Sequence, residues 1–142
     1  SRVLAGPWCT QLLADLGAEV IKIEKPGGGD DTRRWGPPFL KDRQGQDTAE
    51  AAYYLGCNRG KQSVAVDFTS ADGRRMVRDL CAQTDIVVEN FKVGALARYG
   101  LDYAALAPIN PRLVYCSITG FVPTGAYAAR TGYAFIIQSV GG

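Results

Sequence analysis

The sequence predicts an α/β fold: an open, doubly wound, mostly parallel sheet with helices on both faces. Three observations carry that prediction. Short runs rich in β-branched residues recur at residues 19–24 (EVIKIE), 63–68 (SVAVDF), 85–89 (DIVVE) and 112–117 (RLVYCS). Stretches with apolar residues at helical spacing lie between them, bounded by capping residues. Strands that alternate with helices pair in parallel through right-handed crossovers, which leaves helices on both sides of the sheet.

Element by element, residues 1–7 (SRVLAGP) read as the tail of a first strand. Pro7 suits a first helical turn, and Trp8, Leu12, Leu13 and Leu16 recur at helical spacing before Gly17, so a helix is expected over 7–16. The strand 19–24 follows. Residues 25–62 carry Pro26, Gly27, Gly28, Gly29, Pro37, Pro38 and Gly45 and read as a long loop, with a short helix at 49–55. A loop that long usually carries function. After the strand 63–68, Ser70 caps a helix expected to turn Met76, Val77, Leu80 and Cys81 inward. The strand 85–89, a short helix 94–99 ended by Gly100, another from Asp102 through Leu106, and the strand 112–117 complete the pattern.

Length and composition bound the function. At 142 residues, 46% hydrophobic and 21% charged, the chain matches one soluble globular domain. A net charge of +2 does not indicate nucleic-acid binding, and no apolar run approaches the ~20 residues that cross a bilayer, so neither nucleic acid nor membrane is an expected partner. No signal segment opens the chain, and a cytoplasmic location is expected. Cys9, Cys57, Cys81 and Cys116 are scattered and no histidine is present, which argues against structural zinc and reads the cysteines as small buried apolar groups. Without histidine, Ser-His and Cys-His nucleophile pairs are excluded as well. Residues 141–142 close the chain in mid-pattern, so it is expected to be a fragment.

Ligands of such sheets bind beyond the carboxyl ends of the strands. There the sequence has Pro26 to Trp35 (PGGGDDTRRW), whose glycines admit a ligand to the backbone while Arg33 and Arg34 offer donors to phosphates. It is neither G-x-G-x-x-G nor a Walker sequence. Arg59 and Lys61 precede the strand at 63, Asn90 and Phe91 follow the strand at 85, and Arg98 stands one short helix later. Basic and aromatic clusters at successive strand ends fit an adenine nucleotide with several phosphates.

The segments R-V-L-A-G-P (2–7), D-L-G-A-E-V-I-K-I-E (15–24), G-D-D-T-R (29–33), V-E-N-F (88–91) and Y-C-S-I-T-G-F (115–121) occur in order along nearly the whole chain. Together they resemble the amino-terminal part of the family III, or CaiB/BaiF-type, CoA-transferases. The resemblance implies a Rossmann-like large domain that binds CoA and acyl-CoA, of which residues 1–142 are an incomplete part. It implies coenzyme A contacts at Val3, Leu4, Ala5, Arg33, Lys61, Asn90, Phe91 and Arg98, and no metal. Acyl-CoA and a carboxylic acid acceptor are the implied partners, in a homodimer of interlocked rings.

In the chemistry that the resemblance implies, an aspartate carboxylate attacks the acyl-CoA thioester to give a mixed anhydride. The released CoA thiolate then forms an enzyme-bound thioester, from which the acceptor acid takes CoA. That aspartate lies downstream of the segment matching 132–142, as does a shielding glycine-rich loop, so no catalytic residue is expected here and the chain alone should be inactive. Ala134, Val122 and Ala126 depart from the acidic residue, glycine and proline common at those positions. The same fold serves α-methylacyl-CoA racemases, whose histidine stands near Tyr133; this chain lacks one, and Tyr133 with Gln138 is more like the transferases. A racemase-like fragment, a non-catalytic CoA-binding module and a generic nucleotide-binding domain are the alternatives.

Overall fold

In a computed structural model of the protein, the Gly6-Pro7 pair sits inside the first turn of helix α1 (Ala5–Asp15), where the proline deletes an N–H that has no helical partner. The structure describes all residues except 122, 123, 129, 131, 133 and 142, and it divides into two units, Ser1–Gly73 and Arg74–Gly142. The expectations attached to Val122, Tyr133 and Gly142 lie outside the described residues.

In the first unit, α1 ends as the sequence predicts. Gly17 takes φ +97°, its N–H donates to Ala14 O at 3.0 Å, and Ala18 N donates to Leu13 O at 3.0 Å, the paired bonds that close a helix on a left-handed residue. The side of α1 that is buried differs from the apolar stripe: Gly6, Pro7 and Gln11 are buried, while Trp8, Leu12 and Leu16 are exposed. The chain before α1 is not a strand. Val3 lies in a turn at φ +67°, and the helix begins two residues later.

Strand β1 (Val20–Glu24) pairs in parallel with β4 (Lys61–Ala65), Val20 opposite Lys61 and Glu24 opposite Ala65. Val66 N extends the ladder to Glu24 O at 2.9 Å. Within β1 the charged residues Lys22 and Glu24 are buried and Ile21 is exposed, the reverse of a simple apolar alternation.

The segment between these strands is not the irregular loop expected. It holds a 3-10 helix (Asp31–Arg34), an antiparallel hairpin of β2 (Phe39–Lys41) and β3 (Asp47–Ala51), and helix α2 (Ala52–Asn58). The expected helix at 49–55 is thus half strand. Asp42 closes the hairpin by accepting from Gln44 N at 2.9 Å and Gln46 N at 2.8 Å, a turn whose strands hold a single β-branched residue, Thr48, too few to announce them.

Helix α3 (Ala71–Cys81) is capped by Ser70, whose Oγ accepts from Gly73 N at 3.0 Å. Cys81 is buried, Val77 and Leu80 are half-buried, and Met76 is 50% exposed rather than inward. In the second unit, β5 (Ile86–Glu89) pairs in parallel with β6 (Val114–Ser117). A 3-10 helix (Ala97–Tyr99) ends at Gly100, φ +64°, and helix α4 (Tyr103–Leu106) follows. Cys81, Leu101, Leu106 and Leu113 are buried in this unit, and α5 (Ala134–Gly141) is its last element. The α/β class therefore holds, its described strands forming two parallel pairs and one hairpin. The four cysteines are free thiols, with Cys57 and Cys81 buried.

Candidate functional site

The carboxyl end of β1 runs directly into Lys25 and the glycines Gly27, Gly28 and Gly29. Gly29 has φ +63°, and a Cβ there would lie 2.6 Å from both Arg33 Nε and Glu24 Oε2, so glycine alone lets those two groups meet. Arg33 Nε donates to Glu24 Oε2 at 2.9 Å, Nη1 to both oxygens of Glu50 at 3.0 Å, and Nη2 to Tyr54 OH at 2.6 Å. The Tyr54 hydroxyl in turn donates to Glu24 Oε1 at 2.8 Å, and the guanidinium stacks 3.8 Å from its ring. Burial and the Glu24 carboxylate push the Tyr54 phenol well above its ordinary value, so it stays a donor. Burial pulls Arg33 down, but the bond to Glu24 together with the electrostatic pull of Tyr54, Glu24 and Glu50 outweighs it, and the guanidinium is held more firmly charged. Beside this network an open cleft of about 360 Å³ is lined by Lys25, Gly27, Gly28, Gly29, Arg34 and Glu50.

Asp30 is buried at the far end of the glycine run. Its carboxylate accepts from Lys22 Nζ at 2.9 Å, Thr32 N at 3.0 Å, Thr32 Oγ1 at 2.8 Å and Val3 N at 3.1 Å. Burial alone would raise its pKa; the Lys22 and Thr32 bonds outweigh burial and hold the carboxyl below its ordinary value. Lys61 lies between α1 and α2, with Nζ donating to Pro7 O and Cys57 O at 2.7 Å and to Asn58 Oδ1 at 3.1 Å. Burial, followed by the charge of Lys22, pulls the Lys61 ammonium down to about 8.

In the second unit Glu89, at the end of β5, is buried and accepts from Phe91 N at 2.7 Å and from the Ser117 hydroxyl. That carboxylate fixes the turn bearing Asn90 and Phe91, both half-buried. Arg98 is exposed, its guanidinium 4.8 Å from the Tyr99 ring.

Of the residues singled out by sequence, Val3, Leu4, Ala5, Arg33 and Lys61 belong to the first unit and Asn90, Phe91 and Arg98 to the second. Within the first, Val3 and the Arg33 helix share Asp30, and Lys61 reaches the first turn of the helix that Ala5 begins. Sequence reasoning missed Glu24, Asp30, Glu50, Tyr54 and Glu89. The available signal was local: an acidic residue at the end of each of two predicted strands, and an aspartate two residues before Thr32, the spacing of a side-chain-closed turn. Among the described residues no acidic or cysteine group could hold a metal, and no helix is long and apolar enough to cross a membrane.

The sequence profile of CoA-transferase family III matches residues 1–142. The chain belongs to that family. The succinate–glutarate CoA-transferase of Agrobacterium fabrum is 54% identical over all 142 residues, which are 35% of its length. The human succinyl-CoA:glutarate CoA-transferase is 46% identical, the chain covering 31% of it. A CaiB/BaiF family protein from Brucella suis superposes on the whole chain with a TM-score of 0.92 and 58% identity, over 36% of that protein. This family III chain thus spans about a third of the length of the relatives it matches.

Proposed function

We propose that the chain binds coenzyme A and its acyl thioesters as the amino-terminal part of an enzyme that moves CoA between carboxylic acids. The single observation that carries this reading is the shared anchorage at the carboxyl end of β1, where one buried carboxylate, Asp30, ties Val3, next to Leu4 and Ala5, to the Arg33 helix beside a glycine-lined cleft that Lys25, Arg33 and Arg34 border. Glycines admit a phosphate to the backbone and Arg33 and Arg34 supply cationic donors, while Lys61, whose three N–H groups are spent on Pro7, Cys57 and Asn58, supplies positive charge. The family resemblance supports Asn90, Phe91 and Arg98, of the second unit, as further coenzyme contacts.

Arg33 is already occupied, and its two carboxylate partners differ. Glu24 is 4% exposed and Glu50 39% exposed, so an incoming phosphate would displace Glu50 and leave the Glu24 bond intact. The nucleophilic aspartate of the implied mechanism is not assigned to these residues, and alone they hold the coenzyme without transferring it. The two relatives named for succinate and glutarate support dicarboxylic acids as donor and acceptor. The family resemblance supports a homodimer as the working assembly, and the unbonded cysteines support a reducing compartment such as the cytosol.

Calorimetric titration of residues 1–142 with CoA, acetyl-CoA and ADP tests the reading. Binding of all three, weakened in a Lys61→Ala variant and strengthened severalfold in Glu50→Gln, is expected. No detectable binding by the unaltered chain, or equal binding by Lys61→Ala and Arg33→Ala variants, sinks it.

A further inference from the structure

Resting on the coenzyme reading above, we propose that Asp30 is a positioning residue that holds Val3 in a left-handed turn and so sets the backbone of residues 3–5 for the coenzyme. Val3 is the one non-glycine residue with positive φ among the described residues, at +67°. A β-branched side chain is strained there, because its Cβ crowds the following carbonyl oxygen. Something must hold it, and the Val3 amide donates to both Asp30 oxygens, at 3.1 and 3.3 Å. A carboxylate acceptor makes that bond stronger than a neutral one.

Cause runs from Asp30 to Val3. The other donors to the carboxylate, Lys22 Nζ and Thr32 N and Oγ1, lie 8 and 2 residues away in the chain, so β1 and the 3-10 helix place it locally. Val3 is 27 residues away and must come to it. Lys22 Nζ also donates to Ser1 O at 3.3 Å, holding the chain on the other side of Val3. The consequence is one anchor for two groups of coenzyme-contacting residues: the carboxylate that fixes the backbone of Val3 also fixes Thr32, next to Arg33.

The test is a double-mutant cycle in the chain 1–142, with Asp30→Asn made in the natural background and in Val3→Gly. Glycine enters the left-handed region freely and no longer needs holding. CoA affinity is read by calorimetry, and the Val3 backbone angle by its amide–Cα proton coupling. Asp30→Asn is expected to lower CoA affinity roughly tenfold and to remove the left-handed Val3 signature, whereas in the Val3→Gly background the same change costs less than about threefold. An equal loss in both backgrounds means a purely structural carboxylate and overturns the proposal. If the unaltered chain binds CoA and Asp30→Asn binds it equally, the positioning role falls alone; if the unaltered chain binds none, the coenzyme reading falls and takes this role with it. Should Asp30→Asn not fold, Val3→Pro, which deletes the amide and forbids positive φ outside the buried network, replaces it. Unchanged affinity there overturns the proposal, and a roughly tenfold loss with an unaltered melting temperature supports it.

Discussion

Arg33 spends its donors on Glu24, Glu50 and Tyr54 and stacks on the Tyr54 ring, whereas Arg98 lies exposed on a short 3-10 helix with its guanidinium beside Tyr99. Both were singled out by the same sequence argument, yet they stand in opposite electrostatic settings. A cation held by a buried carboxylate is part of the fold first, and a ligand reaches it by exchanging its exposed partner. An exposed cation costs little to redirect, and its worth appears only when the ligand arrives. The first setting binds stability and ligand affinity to the same residues; the second separates them.

The sharpest way to break that contrast is Glu24→Ala, which strands Arg33 and Tyr54 without their buried acceptor. It is expected to cost about 3–5 kcal/mol in urea unfolding. The glycines extend the comparison. Gly29→Ala puts a Cβ 2.6 Å from Arg33 Nε at φ +63°, and about 2–3 kcal/mol of destabilisation is expected. Gly100→Ala has a similar φ of +64° but meets only Arg78 Nη1 at 3.3 Å, so the same melt should show about 1 kcal/mol.

Titration separates the regions next. Lys61 folds with its pKa lowered from 10.5 to about 8, so at this site the unfolded chain binds more protons between those values and the contribution of Lys61 rises with pH across that window, while the raised Cys57, Cys81 and Tyr54 groups work the other way. Urea midpoints at pH 7.5 and 10 for the chain and for Lys61→Met check this: the chain should gain stability relative to the variant between the two. Affinity for CoA should fall over the same interval as the ammonium is lost. Asp30 works at the acid end. Its carboxyl is held below the ordinary 3.8, so its contribution is present above that value and is lost as pH falls through the lower folded one. The smallest effect is expected for Arg98→Ala: a stability change within about 0.5 kcal/mol, with CoA affinity reduced.

Several elements were legible because their causes are local. Gly17 ends α1 through its own bond to the residue three positions back and the bond of Ala18 to the residue five positions back, and Ser70 caps α3 through a residue three positions ahead. Short runs of β-branched residues located β1, β5 and β6 to within about two residues, while the strand expected at 63–68 lies at Lys61–Ala65. The hairpin of β2 and β3 escaped because its turn depends on the Asp42 side chain and its strands on pairing, neither of which leaves an apolar alternation. Trp8, Leu12 and Leu16 have helical spacing yet are exposed in these 142 residues, since spacing says which side chains share a face and not what that face meets.

The site divides along the same line. The sequence by itself determined the α/β class, the family, and the clustering of glycines and basic residues just beyond a strand, all of which rest on the order of residues along the chain. Only the tertiary structure decided that Lys22 and Glu24 point inward, that Asp30 gathers donors 2, 8 and 27 residues away, and that Val3 is turned left-handed to reach it. A buried charge is tolerable only beside its partner, and the fold brings distant partners together.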